Sequence, residues 1–283
     1  MTALTAVAAL LACPECGDEL HPRDHALRCT TGHSFDIARQ GYVGLLTGAS
    51  TKMTGDTADM LDARAAFQGA GHFAPIAAAA AKAFGVTAAG GPDRRAILEI
   101  GAGTGYYLAE VLSAVPDADG IALDVAKPAA RRAARAHPRI ASILADAWRG
   151  LPIRDDAVDG VLSVFAPRNP AEAARVLAPG GRFVVITPTD RHLGELVGPL
   201  DMVRVDPDKD RRLADSMAGT FVRADRELVE FPMKLSRADV THVIAMGPSA
   251  FHGTPVGDPR VAALPGVTEV TASVTVSIYL PVA

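Results

Sequence analysis

Cys13, Cys16, Cys29 and His33 stand close together in the stretch "CPECGDELHPRDHALRCTTGH". These three are all the cysteines of a 283-residue chain. An odd number fits no disulfide framework, which needs pairs and an oxidising compartment. The spacing, C-x2-C and then C-x3-H, is that of two close ligand pairs returned to one point by a hairpin, the way a tetrahedral Zn²⁺ site is assembled. Four protein ligands close the coordination sphere, so the site is expected to be structural rather than catalytic. His21 and His25 compete for the fourth position, but His33 has the better pair spacing. The competing reading, three buried apolar cysteines beside a surface histidine, leaves that spacing without a cause.

The segment in front, "MTALTAVAALLAC", imitates a lipoprotein cleavage box. A signal segment needs a basic leading region, and residues 1–12 hold no Lys or Arg. The stretch is therefore expected to be a frayed or packing N-terminus of a cytoplasmic protein. No run of the sequence approaches the length of a membrane span. Hydrophobic residues make up 49% of the chain, ample for a core, and the net charge is −4. A nucleic-acid partner would then depend on local basic patches rather than on overall charge.

The second stretch able to do chemistry is "EIGAGTG". Gly101, Gly103 and Gly105 allow a tight turn and close approach of backbone to a ligand. The third glycine comes one residue too early for the dinucleotide pattern G-x-G-x-x-G. Asp124 closes the next strand-like run, where an acid meets ribose hydroxyls in folds of this type. Asp146-Ala147 closes the one after, where a carboxylate can accept from an adenine amino group. Helix capping is the competing role for both acids.

The elements that must position these groups alternate. "RAILEIGAG" is a buried strand, "GYYLAEVLSAV" an amphipathic helix, "DGIALDVA" a strand, "KPAARRAARAHP" a helix and "ASILADA" a strand. Then follow "AVDGVLSVFAP" as a fourth strand, "PAEAARVLAPGG" as a helix and "RFVVITP" as a fifth strand. This alternation predicts a doubly wound parallel sheet. "ELVEFPMKLS" and "VTEVTASVTVSIYLP" read as a final antiparallel pair with no strong helix between them. Upstream, "SFDIARQGYVGLLTG" reads as a short helix or turn followed by a strand. "TADMLDARAAFQGAGHFAPIAAAAAKAF" has helical spacing broken in two at "GAGH". "GVTAAGGPDRR" reads as a linker. The resulting division is 1–48 as a zinc-binding recognition module, 49–92 as a helical connector and 93–283 as the main α/β domain.

"E-x-G-x-G-x-G", the strand-ending Asp124, Asp146-Ala147 and "RVLAPGGRFVV" together resemble class I S-adenosylmethionine-dependent methyltransferases. That resemblance implies a Rossmann-like doubly wound sheet with an antiparallel last strand. The zinc knuckle, "DTADMLDARAAF", "GHFAP", "VFAPRNPAE" and "TPTDRHLGEL", in that order, narrow it to the RlmA family of 23S rRNA (guanine-N1)-methyltransferases. "APRNP", "AKPAARRAARAHP" and "VTASVT" are similar to its TlrB-like branch, RlmA-II, associated with resistance to tylosin-type macrolides. The resemblance covers essentially the whole chain.

The resemblance implies methyl transfer from S-adenosylmethionine to guanine N1 in the hairpin 35 loop of 23S rRNA, at position 748 rather than at the neighbouring guanine. It also implies a homodimer with a cleft between zinc modules. It places Cys13, Cys16, Cys29 and His33 at the zinc positions, Gly103 and Thr104 in the cofactor loop, and His192 against the cofactor. Phe73 stands where relatives often carry tyrosine, so its ring can pack on the cofactor but a hydroxyl contact is lost. In "FAPRN", Phe165 is expected to stack on the target base and Arg168 to stabilise charge on O6, a plain phosphate contact being the competing role for Arg168. No compelling general base stands out, and Asp56 and Asp59 are the weak candidates. Basic residues expected to meet RNA are Arg131, Arg132 and Arg135 on one helix, Arg23, Arg28, Arg39 and Lys52 in the zinc module, and Arg94-Arg95, Arg204, Arg211 and Arg212 elsewhere. Two rival readings, a small-molecule methyltransferase and a non-catalytic zinc RNA-binding protein, are disfavoured by the zinc knuckle and the intact glycine loop respectively.

Overall fold

The computed structural model describes residues 2–48, 51, 53–85, 95–247 and 257–282. Lys52, Arg94 and most of the expected linker, 86–94, lie outside the described residues. An eight-stranded sheet runs through the molecule in the order β10-β11-β9-β8-β5-β6-β7-β4, with β4 being Tyr42–Gly44 and the others bounded as follows. Its parallel centre is β5 (Arg95–Ile100), β6 (Ala118–Asp124), β7 (Ile140–Leu144), β8 (Val158–Val164) and β9 (Leu177–Pro188). β10 (Phe221–Ser236) and β11 (Val267–Pro281) close one edge as an antiparallel pair, with β11 antiparallel to β9. This is the expected class I methyltransferase architecture.

The central strands read as unbroken apolar runs because helices cover both faces of the sheet. Along β5, Ile97 joins the layer of Phe67, Ile76, Leu108 and Val111, while Leu98 joins that of Leu11, Ile121 and Phe183. The helices between strands are α4 (Tyr106–Ala114), α5 (Lys127–Ala133) and α6 (Pro170–Val176).

Three sequence expectations are corrected. "PAEAARVLAPGG" is helical only over α6, and the chain is already extended at Leu177. Pro179 disfavours a helical Ala178, and Gly180 turns at φ +82°. "SFD" forms β3 (Ser34–Asp36) and not a short helix. The final strand pair does enclose a helix, α9 (Arg237–Met246), started by a capping box between Ser236 and Asp239; α10 (Pro259–Ala263) follows it.

The N-terminal segment is built into the same body. α1 (Ala3–Val7) buries Leu4 and Val7 in the layer that holds Leu98 and Ile121. β1 (His21–Arg23), β2 (Ala26–Arg28) and β3 form a small antiparallel sheet. β4 (Tyr42–Gly44) then leaves that sheet and pairs in parallel with β7, Val43 opposite Ile143. From there the chain passes to α2 (Ala58–Gly69), capped by the Thr57 hydroxyl, and after Gly71 at φ +83° to α3 (Ala74–Gly85). Among the described residues no helix is long and apolar enough to cross a membrane.

Candidate active site and metal centre

The C-x2-C turn and the β2–β3 hairpin bring together one ligand atom each from Cys13, Cys16, Cys29 and His33, all within 4.8 Å of one another. Cys16 Sγ and Cys29 Sγ are 3.7 Å apart. His33 Nδ1 lies 3.6 Å from Cys13 Sγ and 3.4 Å from Cys29 Sγ. Zn–S bonds of about 2.3 Å and a Zn–N bond of about 2.0 Å at tetrahedral angles require edges of about 3.5–3.8 Å. These three edges thus have the lengths of a zinc tetrahedron. His21 stands beside Glu19, and neither it nor His25 belongs to the cluster. Cys13 and Cys29 are buried in the core layer shared with the large sheet, so the cluster is tied to the main domain.

A cavity of about 880 Å³ opens at the carboxyl ends of the parallel strands, the side on which doubly wound sheets bind ligands. The loop after β5 forms its floor. Gly101, Gly103 and Gly105 all have left-handed φ, +69°, +55° and +79°. A Cβ on Gly101 would sit 2.6 Å from that of Ala166, in the loop after β8. Asp124, at the end of β6, accepts from Gly103 N–H and from Ala126 N–H, each at 2.8 Å. The carboxylate shapes the glycine loop and retains lone pairs toward the cavity. Burial holds its pKa above the ordinary range. Asp146, after β7, caps the turn at Trp148 N–H and accepts from the Thr51 hydroxyl at 2.6 Å. The capping role is therefore real for Asp146, which lines the cavity as well.

Across from the glycine loop stand Phe73, Phe165 and His192, with ring centroids 5.6–6.2 Å apart. They come from three distant segments: the start of α3, the loop after β8 and the turn after β9. Phe165 adopts φ +54°, a conformation unfavourable for a bulky residue and concentrated at functional sites. Its side chain remains 40% exposed, available to a further ring. Ser273 N–H donates to His192 Nδ1 at 3.1 Å. Burial, with Lys209 nearby, pushes the His192 pKa down to about 4. The ring is neutral at pH 7, with its proton on Nε2.

Of the residues expected in the site, Phe73, Gly101, Thr104, Asp124, Asp146, Ala147, Phe165, Arg168 and His192 line this one cavity. Gly103 and Gly105 belong to the same loop but do not line the cavity. Asp56 lines it too, but is paired with Arg64 at 2.6 Å. Asp59 is exposed in the first turn of α2 and lies outside it. Of the basic helix α5, Arg132 is drawn into an ion pair with Asp62, while Arg131 and Arg135 are exposed. Sequence reasoning missed Arg64 and Gln68, which line the cavity from α2 together with Met60. Their four-residue spacing on one helix face was the available signal. It also missed Tyr107, whose buried hydroxyl has no hydrogen-bond partner among the described residues, and Lys209 at the start of α8 (Lys209–Met217).

The match to known proteins follows these two centres. The RlmA N-terminal zinc-ribbon model covers residues 11–50, and a methyltransferase domain model covers residues 97–181. A Streptomyces fradiae protein, 23S rRNA (guanine(748)-N(1))-methyltransferase, is 48% identical over 276 residues, which is 96% of this chain and 96% of that one. The chain belongs to the RlmA family of 23S rRNA (guanine-N1)-methyltransferases. A Micromonospora griseorubida relative, named as a 23S rRNA (guanine-N(1)-)-methyltransferase without a nucleotide position, is also 48% identical, over 96% of this chain and 97% of its own. Among solved structures, Haemonchus contortus phosphoethanolamine N-methyltransferase 2 with S-adenosyl-L-methionine is 14% identical, with a TM-score of 0.47 over 79% of this chain and 57% of that one. The cofactor of an RlmA-family methyltransferase domain is S-adenosylmethionine, and its ribbon carries structural zinc. The cavity fits the cofactor: it has the volume of a small-molecule site, acids at two strand ends, and an orphaned Tyr107 hydroxyl on its wall.

Proposed function

We propose that this chain methylates N1 of a guanine in the hairpin 35 loop of 23S rRNA, at position 748, and that the modification confers resistance to tylosin-type macrolides. The observation that carries the reading is the 48% identity, over 96% of both chains, to the Streptomyces fradiae enzyme whose name specifies that atom and nucleotide. The aromatic trio beside the glycine loop supports it, since a base can stack there against the methyl-transfer position.

Within this proposal Gly101, Gly103, Thr104 and Gly105 hold the methionine portion of the cofactor. Asp124 takes the ribose hydroxyls, Asp146 and Ala147 the adenine, and Phe73 and His192 close over the reacting end. When bound, S-adenosylmethionine supplies an electrophilic sulfonium methyl group. Guanine N1 carries a proton at neutral pH, which must be lost to solvent as N1 becomes the nucleophile. Arg168, which lines the cavity and whose side chain has no carboxylate partner among the described residues, stabilises the charge that then develops on O6. Phe165 stacks on the base, and a hairpin-loop base costs little to unstack. Positioning and this electrostatic help supply the rate enhancement.

Cys13, Cys16, Cys29 and His33 hold the zinc, and residues 1–48 recognise RNA through exposed Arg23, Arg28 and Arg39. Residues 49–92 connect this module to the transferase domain, 93–283. Two chains form a homodimer whose zinc modules flank the RNA, in the cytoplasm where ribosomes assemble. Incubation of the zinc-loaded protein with labelled cofactor and a hairpin 35 fragment tests the reading, with the modified nucleotide located by mass spectrometry.

A further inference from the structure

The walls of the cavity carry opposite charge. On the glycine-loop side stand the strand-end acids Asp124 and Asp146, with Asp56 paired to Arg64; on the other stand Arg168, Arg204 and Lys209, with Arg212 paired to Asp206. Lys209, Arg212, Leu213 and Ser216 all line the cavity, so one face of α8 forms this second wall. Most basic side chains around α8 are already neutralised. Arg212 pairs with Asp206, Arg211 with Asp208 and Asp215, and Arg226 with Asp210. Arg168, Arg204 and Lys209 differ: among the described residues none of the three makes a side-chain hydrogen bond or ion pair. Arg168 and Lys209 are half-buried, burial lowers both their pKa values, and Arg168 lowers that of Lys209 further.

Half-buried cations without counter-ions cost free energy unless an anion completes the site. The cofactor is a poor candidate for that anion. Its single carboxylate can meet only one of these three cations, and its sulfonium and amino groups are themselves cationic and suit the acids on the opposite wall. The ligand for this wall must be anionic, must enter beside the aromatic trio, and must present more than one negative group to side chains from three segments.

We propose that Arg204 and Lys209 bind the phosphodiester groups on either side of the flipped guanine, making the inner face of α8 a backbone-gripping wall. The proposal rests on the rRNA reading above. Arg168 sits on the same wall but is directed to the base, so the two new residues set substrate affinity and the frame in which the guanine is presented.

The test compares Arg204→Gln, Lys209→Gln and the double variant with the unaltered zinc-loaded protein on a hairpin 35 RNA. Arg226→Gln, whose guanidinium is already paired with Asp210, is the control. Each substitution at 204 or 209 should raise the KM for RNA about tenfold, with a smaller change in kcat. Each should flatten the slope of log affinity against log salt by about 0.7. Affinity for S-adenosylmethionine, read by calorimetry, and the melting temperature should stay as in the parent, and Arg226→Gln should leave the salt slope unchanged. An unchanged KM and salt slope in the double variant overturns the proposal, as does a loss of cofactor affinity equal to the loss for RNA. If the unaltered protein methylates no RNA, the rRNA reading falls and takes this one with it; methylation with an unaffected double variant sinks this one alone.

Discussion

The backbone N–H of Ser273 on β11 donates to Nδ1 of His192 at 3.1 Å and fixes the imidazole as a neutral, Nε2-protonated ring at the cavity wall. Protonation at Nδ1 would break that bond and place a charge near Lys209. The folded-state pKa, about 4, lies below the ordinary 6.5. The unfolded chain therefore binds more protons between these values. The stabilisation is complete above pH 6.5 and is lost as pH falls toward 4. His192→Gln, which can keep an acceptor for Ser273, should flatten this acid-side loss by about 2 kcal/mol between pH 7 and pH 4.5. Denaturant unfolding at the two pH values reads it, and parallel losses in both proteins would remove His192 as the titrating group.

Metal analysis should give about one zinc per chain. Cys29→Ser should lose the metal and weaken RNA binding more than cofactor binding. Because Cys13 and Cys29 share a core layer with Leu98 and Ile121, the variant should also unfold at lower temperature as a whole rather than in its first 48 residues alone. Wild-type protein that is metal-free yet fully active would refute the assignment of the cluster.

Asp124→Ala should weaken S-adenosylmethionine binding by about 1.5–3 kcal/mol, the scale of a hydrogen bond to a charged group. It also removes the acceptor of Gly103 N–H, so the glycine loop loses its tie to β6. Unchanged affinity by calorimetry would take Asp124 out of the cofactor site.

Gly101→Ala combines a φ of +69° with a Cβ placed 2.6 Å from that of Ala166. The strain is about 1–3 kcal/mol, and its relief pushes the loop carrying Phe165 and Arg168. Stability should drop by that amount, and kcat should fall more than cofactor affinity. Parent-like kcat would mean that the two loops are not coupled.

The local chemistry was legible because its signals are local. C-x2-C with C-x3-H states its own geometry, and "EIGAGTG" between strand and helix needs glycines wherever φ is positive. The parallel pairing of the central strands follows from the alternation of elements. What could not be read is what the fold brings together from afar. Phe73 and His192 are 119 positions apart and were placed in the site by family resemblance, not by spacing. Lys209 lies in a charged helix start that reads as a solvated surface. The three residues of β4 are too few to show that they pair with β7. "RVLAPGG" misled because its helix ends inside an Ala-rich run whose stop signals, Pro179 and Gly180, come after the last helical turn.

The central claim is tested most directly by locating the methyl group. Zinc-loaded protein, S-adenosylmethionine and a hairpin 35 fragment of 23S rRNA are incubated, and the RNA is digested and sequenced by mass spectrometry. A single methyl group on N1 of guanine 748, absent when that guanine is replaced by adenine, is the predicted result. Methylation of another nucleotide, or of small molecules only, would contradict it.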